Sequence, residues 1–141
     1  MGDEFIMTVK RLKNFTIRKA EKQDVSKLLP IMLNYMIDFS DEKMHIHFLN
    51  EIYNDSTKGL QFVAEKDNKI VGFATLYFTF DSLKDKKIAV LHDLFVIPEC
   101  RMEKVNQTLF ETCLKYIREN DFLYMICETT EGNSIAKKVY Q

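Results

Sequence analysis

Asp93 is the one acid in an otherwise largely apolar run, IAVLHDLFVI, at 88–97. Strand alternation sets it on the face of Leu91 and Phe95, and a carboxylate among apolar neighbours needs either a partner or a purpose. It could accept a proton directly or through water, or orient a cationic group. The alternative is a cap or a salt bridge at the end of a sheet. His92 alternates to the opposite face, where packing against a helix is its first reading and a base its second. His45 and His47 stand two apart on a helical stretch and so point to different faces, poor geometry for a metal, and no metal is expected.

The same run feeds VIPECRMEKVNQTLF, 96–110, which turns through Pro98 and enters a helix in the manner of a loop that wraps main-chain N–H groups around a phosphate. Such loops usually carry glycines, because a phosphate held against the backbone leaves little room for Cβ atoms. Here the turn holds Met102, Glu103, Lys104 and Asn106 instead. Taken alone, a strand, a corner and a helix are common to many α/β domains and mark no function. Cys100, Cys113 and Cys127 are odd in number, widely spaced and without C-x-x-C pairing, which reads as reduced, mostly buried thiols rather than a disulfide framework or zinc knuckle.

These residues need elements to hold them. A chain of 141 residues with 46% hydrophobic content suits one domain, 1–141, with a real core. FTIRKA at 15–20 reads as a short strand. Val25, Leu28, Leu29, Met32, Met36 and Phe39 then fall on one helical face, with Pro30 either bending one helix or dividing two. DEKMHIHFLNEIYND, 41–55, is a second helix. LQFVAEK and KIVGFATLYFTF, joined by Asp67 and Asn68, have the pattern of a hairpin. The charged stretch DSLKDKK leads to the strand of Asp93, apolar on both faces as a central strand covered by helices would be. Val105, Leu109, Phe110, Cys113, Leu114 and Ile117 give the next helix its apolar face. FLYMICE is a strand, and GNSIAKKVYQ begins a last helix with Asn133 or Ser134 as its cap. The order is β-α-α-β-β-β-α-β-α, an α/β (α+β) class.

With these elements in place, LHDLFVIPECR, EGNSIAKKVY and the opening FTIRKAEKQD resemble the GNAT superfamily of N-acetyltransferases over essentially the whole chain. The resemblance implies a mixed, mostly antiparallel sheet with helices on both faces. It also implies acetyl-CoA as co-substrate and transfer of acetyl to a primary amine by direct attack in a ternary complex. The family strand ending L-x-V-x-P-x-x-R is followed by Q/R-x-x-G-x-G/A, whose main chain holds the coenzyme A pyrophosphate; here that loop is Arg101, Met102, Glu103, Lys104, Val105 and Asn106. Arg101 and Val105 fit the pattern. Lys104 and Asn106 replace both glycines and, with Glu103, imply weakened or altered cofactor binding, partly offset by the Lys104 cation.

The resemblance further lays the pantetheine arm along Phe95, Val96 and Ile97, with a backbone amide there stabilising the oxyanion. It gives Asp93 the amine's proton to accept or the amine to position. His92 stands where diamine and aminoglycoside acetyltransferases often have Glu. In the pattern N-x-x-A-x-x-x-Y, here Asn133, Ala136 and Tyr140, the asparagine bonds the pantetheine and the tyrosine protonates the departing thiolate. Asp93, with Asp38 and Asp41, leans toward a small cationic amine. The alternative is a catalytically inactive ligand- or protein-binding module of the same fold.

A net charge of −1 points to neither nucleic acid nor an anionic membrane, and no stretch is long and apolar enough to span a bilayer, so a cytoplasmic protein is expected. Family members continue past the tyrosine into further strands, which this sequence lacks. FLYMICE would then present an open edge, and a homodimer or swapped arrangement is expected to cover it.

Overall fold

The computed structural model describes residues 9–12, 14–35, 42–128 and 134–138. Its strands are β1 (Val9–Leu12), β2 (Phe15–Lys19), β3 (Gly59–Lys66), β4 (Lys69–Asp81), β5 (Lys86–Val96), β6 (Tyr124–Glu128) and β7 (Ser134–Lys138). Its helices are α1 (Val25–Tyr35), α2 (Glu42–Asn54) and α3 (Val105–Glu119), with 3-10 turns at Lys22–Asp24 and Pro98–Glu103. Among the described residues the strands form one sheet in sequence order, β1 to β7. Every neighbouring pair is antiparallel except β5 and β6, which run parallel and are joined by the crossover through α3.

The mixed, mostly antiparallel sheet with helices on both faces is as the resemblance implies. On one face α1 and α2 bring Leu28, Ile31, Met32, Leu49 and Ile52 onto Val63, Ile70 and Phe73. On the other, α3 stacks Val105, Leu109, Cys113 and Ile117 on Phe62, Ala64, Ala74, Leu76 and Ala89. The four α3 residues are spaced by four, so they line one stripe of the helix, and each larger one withdrawn from water contributes about 2 kcal/mol. Phe62 and Val63 show the alternation directly, each packed into a different layer.

The β3–β4 hairpin turns through Asp67 and Asn68 at φ 51° and 64°, the paired left-handed conformation that a two-residue turn needs. Pro30 lies inside α1, which runs unbroken from Val25 to Tyr35, so the proline does not divide it; Met36 and Phe39 lie outside the described residues.

Two elements differ from the reading of the sequence. Val9–Leu12 adds a strand, β1, beside β2. Among the described residues the expected last helix does not form: Ser134–Lys138 is β7, antiparallel to β6 from Tyr124↔Lys138 to Glu128↔Ser134. A short segment gains little as an isolated helix, whereas the edge of β6 offers a ready row of main-chain donors and acceptors. FLYMICE therefore does not lack a neighbour, and the ground for expecting a second copy over that edge goes with it.

Candidate functional site

β5 is registered on β6 through Ala89↔Met125, Val90↔Ile126 and Leu91↔Cys127, and there the pairing ends. β6 ends at Glu128, so its pairing with β5 stops after Leu91↔Cys127, while β5 runs on along β4 to Val96. A parallel pair that opens at its C-terminal end makes a wedge into which an extended chain can be laid.

At the point of parting β5 carries a bulge. Thr75 stands opposite Asp93 and Leu76 opposite Leu91, which leaves His92 as the extra residue. The extra residue cancels strand alternation across it. Leu91 turns into the α3 layer, while Phe95 packs with Phe73 into the α1–α2 layer, ring centroids 6.1 Å apart. Asp93, two residues from Phe95 and level with Thr75, lies on that second face. Thus Asp93 shares a face with Phe95 but not with Leu91. His92 is not on the far side from Asp93 either, because its ring lies 5.0 Å from that of Tyr77, which shares the Phe73–Thr75 face of β4. The bulge thus sets His92 toward the face on which Asp93 lies.

Beyond the wedge the chain turns sharply. Ile97 N–H bonds to the Val71 oxygen at 2.9 Å, and Cys100 N–H to the Ile97 oxygen at 3.0 Å. Arg101 donates from Nε to the Val96 oxygen at 2.9 Å, and its guanidinium lies 5.5 Å from the centre of the Phe95 ring. Gly72 lies beneath this corner: a Cβ there would come within 2.8 Å of the Phe95 oxygen and 3.1 Å of Val96 Cγ2.

Met102 and Glu103 close the 3-10 turn, and Lys104 adopts φ 63°, ψ 16° before α3 begins at Val105. That left-handed conformation is the one a glycine takes without cost. The loop thus has a turn that glycine adopts most easily, with a lysine in its place. Lys104 makes no side-chain capping bond and the first turn of α3 carries no acid. Thr108 returns both its N–H, at 3.1 Å, and its hydroxyl, at 3.0 Å, to the Lys104 oxygen. The first N–H groups of a helix have no partner within it, and with the dipole they favour an anion. Asn106 and Lys104 are both exposed beside this helix end.

The residues present therefore suit acetyl-CoA as substrate. The edge of β5 past Leu91 could pair with an extended arm, and the left-handed turn leads into a helix start without acids, which favours an anion. Asn133 and Tyr140, with Asp38 and Asp41, lie outside the described residues. Asp93, Phe95, Val96, Ile97 and the segment Arg101 to Asn106 are brought together along one line from wedge to helix. Sequence reasoning missed Gln61 and Thr75, both wholly buried. The signal was there: each is a lone polar residue inside an apolar strand, in LQFVA and FATLYF. Among the described residues no helix is long and apolar enough to cross a membrane.

Comparison with known proteins agrees with this geometry. The profile of the acetyltransferase (GNAT) family matches residues 25–141. An uncharacterized N-acetyltransferase, YhfO, of Bacillus subtilis (strain 168) is 27% identical over 128 residues, which is 89% of this chain and 85% of the relative. The glucosamine-6-phosphate N-acetyltransferase of Arabidopsis thaliana superposes with a TM-score of 0.72 at 17% identity, over 84% of each chain. A predicted acetyltransferase of Clostridium acetobutylicum, solved with acetyl-CoA, gives 0.70 at 16% identity, again over 84% of each.

Proposed function

The chain belongs to the acetyltransferase (GNAT) family, and from that premise we propose that it moves acetyl from acetyl-CoA to the primary amine of a small cationic molecule, by direct attack in a ternary complex. Acetyl-CoA-dependent acetyl transfer is the family's reaction and this chain's. The observation that supports the finer reading is that β5 runs on past its last pair with β6, Leu91↔Cys127, with Asp93 two residues beyond it on the way to the loop into α3.

In this reading the ammonium group gives up a proton to Asp93, directly or through one water, and the freed lone pair forms the new C–N bond at the thioester carbonyl. A main-chain N–H near Phe95 or Val96 faces the oxyanion that results. The C–S bond then breaks, and the thiolate takes the proton left on the nitrogen, directly or through solvent; the part expected of Tyr140 rests on a last helix, and Ser134–Lys138 is β7 instead. The products are an amide, free coenzyme A and one proton released from Asp93. Phe95, Val96 and Ile97 hold the arm; Arg101 to Asn106 hold the diphosphate; Asn133 bonds the pantetheine amide. The carboxylate at the wedge supports a cationic acceptor.

A calorimetric titration of acetyl-CoA, followed by thiol release with spermidine, putrescine and glucosamine 6-phosphate as acceptors, tests this. Micromolar binding, about 8 kcal/mol, is expected, with turnover on the polyamines. Asp93→Asn should lower kcat by about 100-fold with acetyl-CoA affinity retained. Turnover only on the sugar phosphate would reject the cationic acceptor. Binding with no turnover on any amine would favour a ligand-binding module.

A further inference from the structure

A polar row crosses the apolar face of the sheet as far as Thr75, which is registered opposite Asp93. Gln61 on β3 is registered opposite Thr75 on β4, and Thr75 opposite Asp93 on β5. Gln61 and Thr75 are completely buried. From α2, Tyr53 donates its hydroxyl to Gln61 Oε1 at 2.5 Å, and Gln61 Nε2 donates to Thr75 Oγ1 at 2.9 Å. Burial holds the Tyr53 phenol well above its ordinary range, so it remains an O–H donor.

The row has a direction. Tyr53 gives its hydrogen to Gln61, and Gln61 gives one to Thr75. The Thr75 hydroxyl, having accepted, still has its own hydrogen to give. Directly across the ladder from it is Asp93, at the 4.5–5.5 Å or so that separates the Cβ atoms of opposed residues.

We propose that Tyr53, Gln61 and Thr75 are positioning residues for the acetyl-transfer reaction: the row fixes the Thr75 hydroxyl so that it donates to the Asp93 carboxylate and holds it toward the amine. This rests on the reading of Asp93 given above. A primary amide passes a proton only by tautomerising, so the row orients and does not conduct. Two apolar residues of similar shape would pack this layer as well as a hydrogen-bonded Gln–Thr pair. A donor aimed along the row gives the buried pair a purpose.

Other charged groups near this face among the described residues are few and mostly engaged with one another. From α1, Lys27 reaches Glu65 at 3.8 Å; behind Tyr53, Arg18 closes on Asp24 at 2.8 Å. His92 on β5 lies against Tyr77 on β4, and Arg101 over Phe95.

The test is a carboxyl NMR titration of Asp93 in the full chain, for the wild type, Thr75→Val and Thr75→Ser, with thermal melting as a check on folding. A hydroxyl donor favours the charged carboxylate. Thr75→Val should therefore raise the Asp93 midpoint by about one pH unit, and Thr75→Ser should restore it. The acid limb of kcat/KM for spermidine should move with it, and Tyr53→Phe should move it the same way by less. Should Thr75→Val not fold, Thr75→Ala, which cannot overpack, is read identically. An unchanged Asp93 midpoint in a folded valine or alanine variant overturns the proposal. Asp93→Asn separates the two claims. If it leaves turnover and its pH dependence intact, the role of Asp93 is wrong, while the titration still decides whether Thr75 bonds it.

Discussion

Arg101 donates its Nε hydrogen to the main-chain oxygen of Val96, tying the turn after β5 back onto the last residue of the strand. The same guanidinium covers the Phe95 ring. One side chain thus holds the end of β5 and the start of the loop into α3 in a fixed relation. Arg101→Lys keeps the charge but loses the planar donor. It should weaken acetyl-CoA binding by roughly tenfold, the worth of one charge-assisted hydrogen bond. Calorimetry on the variant is the check; unaltered affinity would show that the corner holds its shape without Arg101.

Lys104 occupies a left-handed conformation that costs a residue with a Cβ about 1–2 kcal/mol. Lys104→Gly relieves it, less the backbone entropy of glycine, for a net gain of about 0.5–1 kcal/mol in urea unfolding. With Asn106→Gly added, crowding at the helix start falls and acetyl-CoA should bind more tightly. A weaker complex would mean that the Lys104 cation matters more than the space it takes.

Gly72 has no room for a methyl group against the Phe95 oxygen. Gly72→Ala must push the β5 main chain outward or strain β4, at about 1–3 kcal/mol. Because the atoms displaced are those proposed to line the pantetheine, affinity for acetyl-CoA should fall together with the denaturation midpoint. Loss of stability alone would place the pantetheine elsewhere.

Arg18 grips both Asp24 oxygens, at 2.8 and 2.9 Å, and the Glu21 N–H adds a third bond at 2.7 Å. The Arg18 hydrogen bonds, aided by the Glu21 amide and opposed by burial, hold the Asp24 carboxyl below its ordinary 3.8. A lowered folded-state value means that the stabilisation is complete above 3.8 and drains away as pH falls through the folded-state value. Asp24→Asn should cost about 3 kcal/mol at pH 7. The gap from wild type should shrink on acidification below about pH 4. A gap constant from pH 7 to pH 2 would contradict the pairing.

Local patterns in the sequence determined much of this molecule. Asp67 and Asn68 alone announce the β3–β4 turn, since few residues accept two successive positive φ angles. The periodicity of Val105 to Ile117 announces α3, and a largely apolar strand around a single acid announces β5. Each of these depends on residues within one turn or one strand. What the tertiary structure decided depends on partners far along the chain. The bulge at His92, which reverses the faces of Leu91 and Asp93, exists only in the register of β5 on β4. Ser134–Lys138 has a local pattern that suits a helix, and becomes β7 because the edge of β6 is there to receive it. The row from Tyr53 through Gln61 to Thr75 joins three elements that no sequence spacing connects. Hydrogen-bond register is a long-range property, and the chain acquires it only on folding.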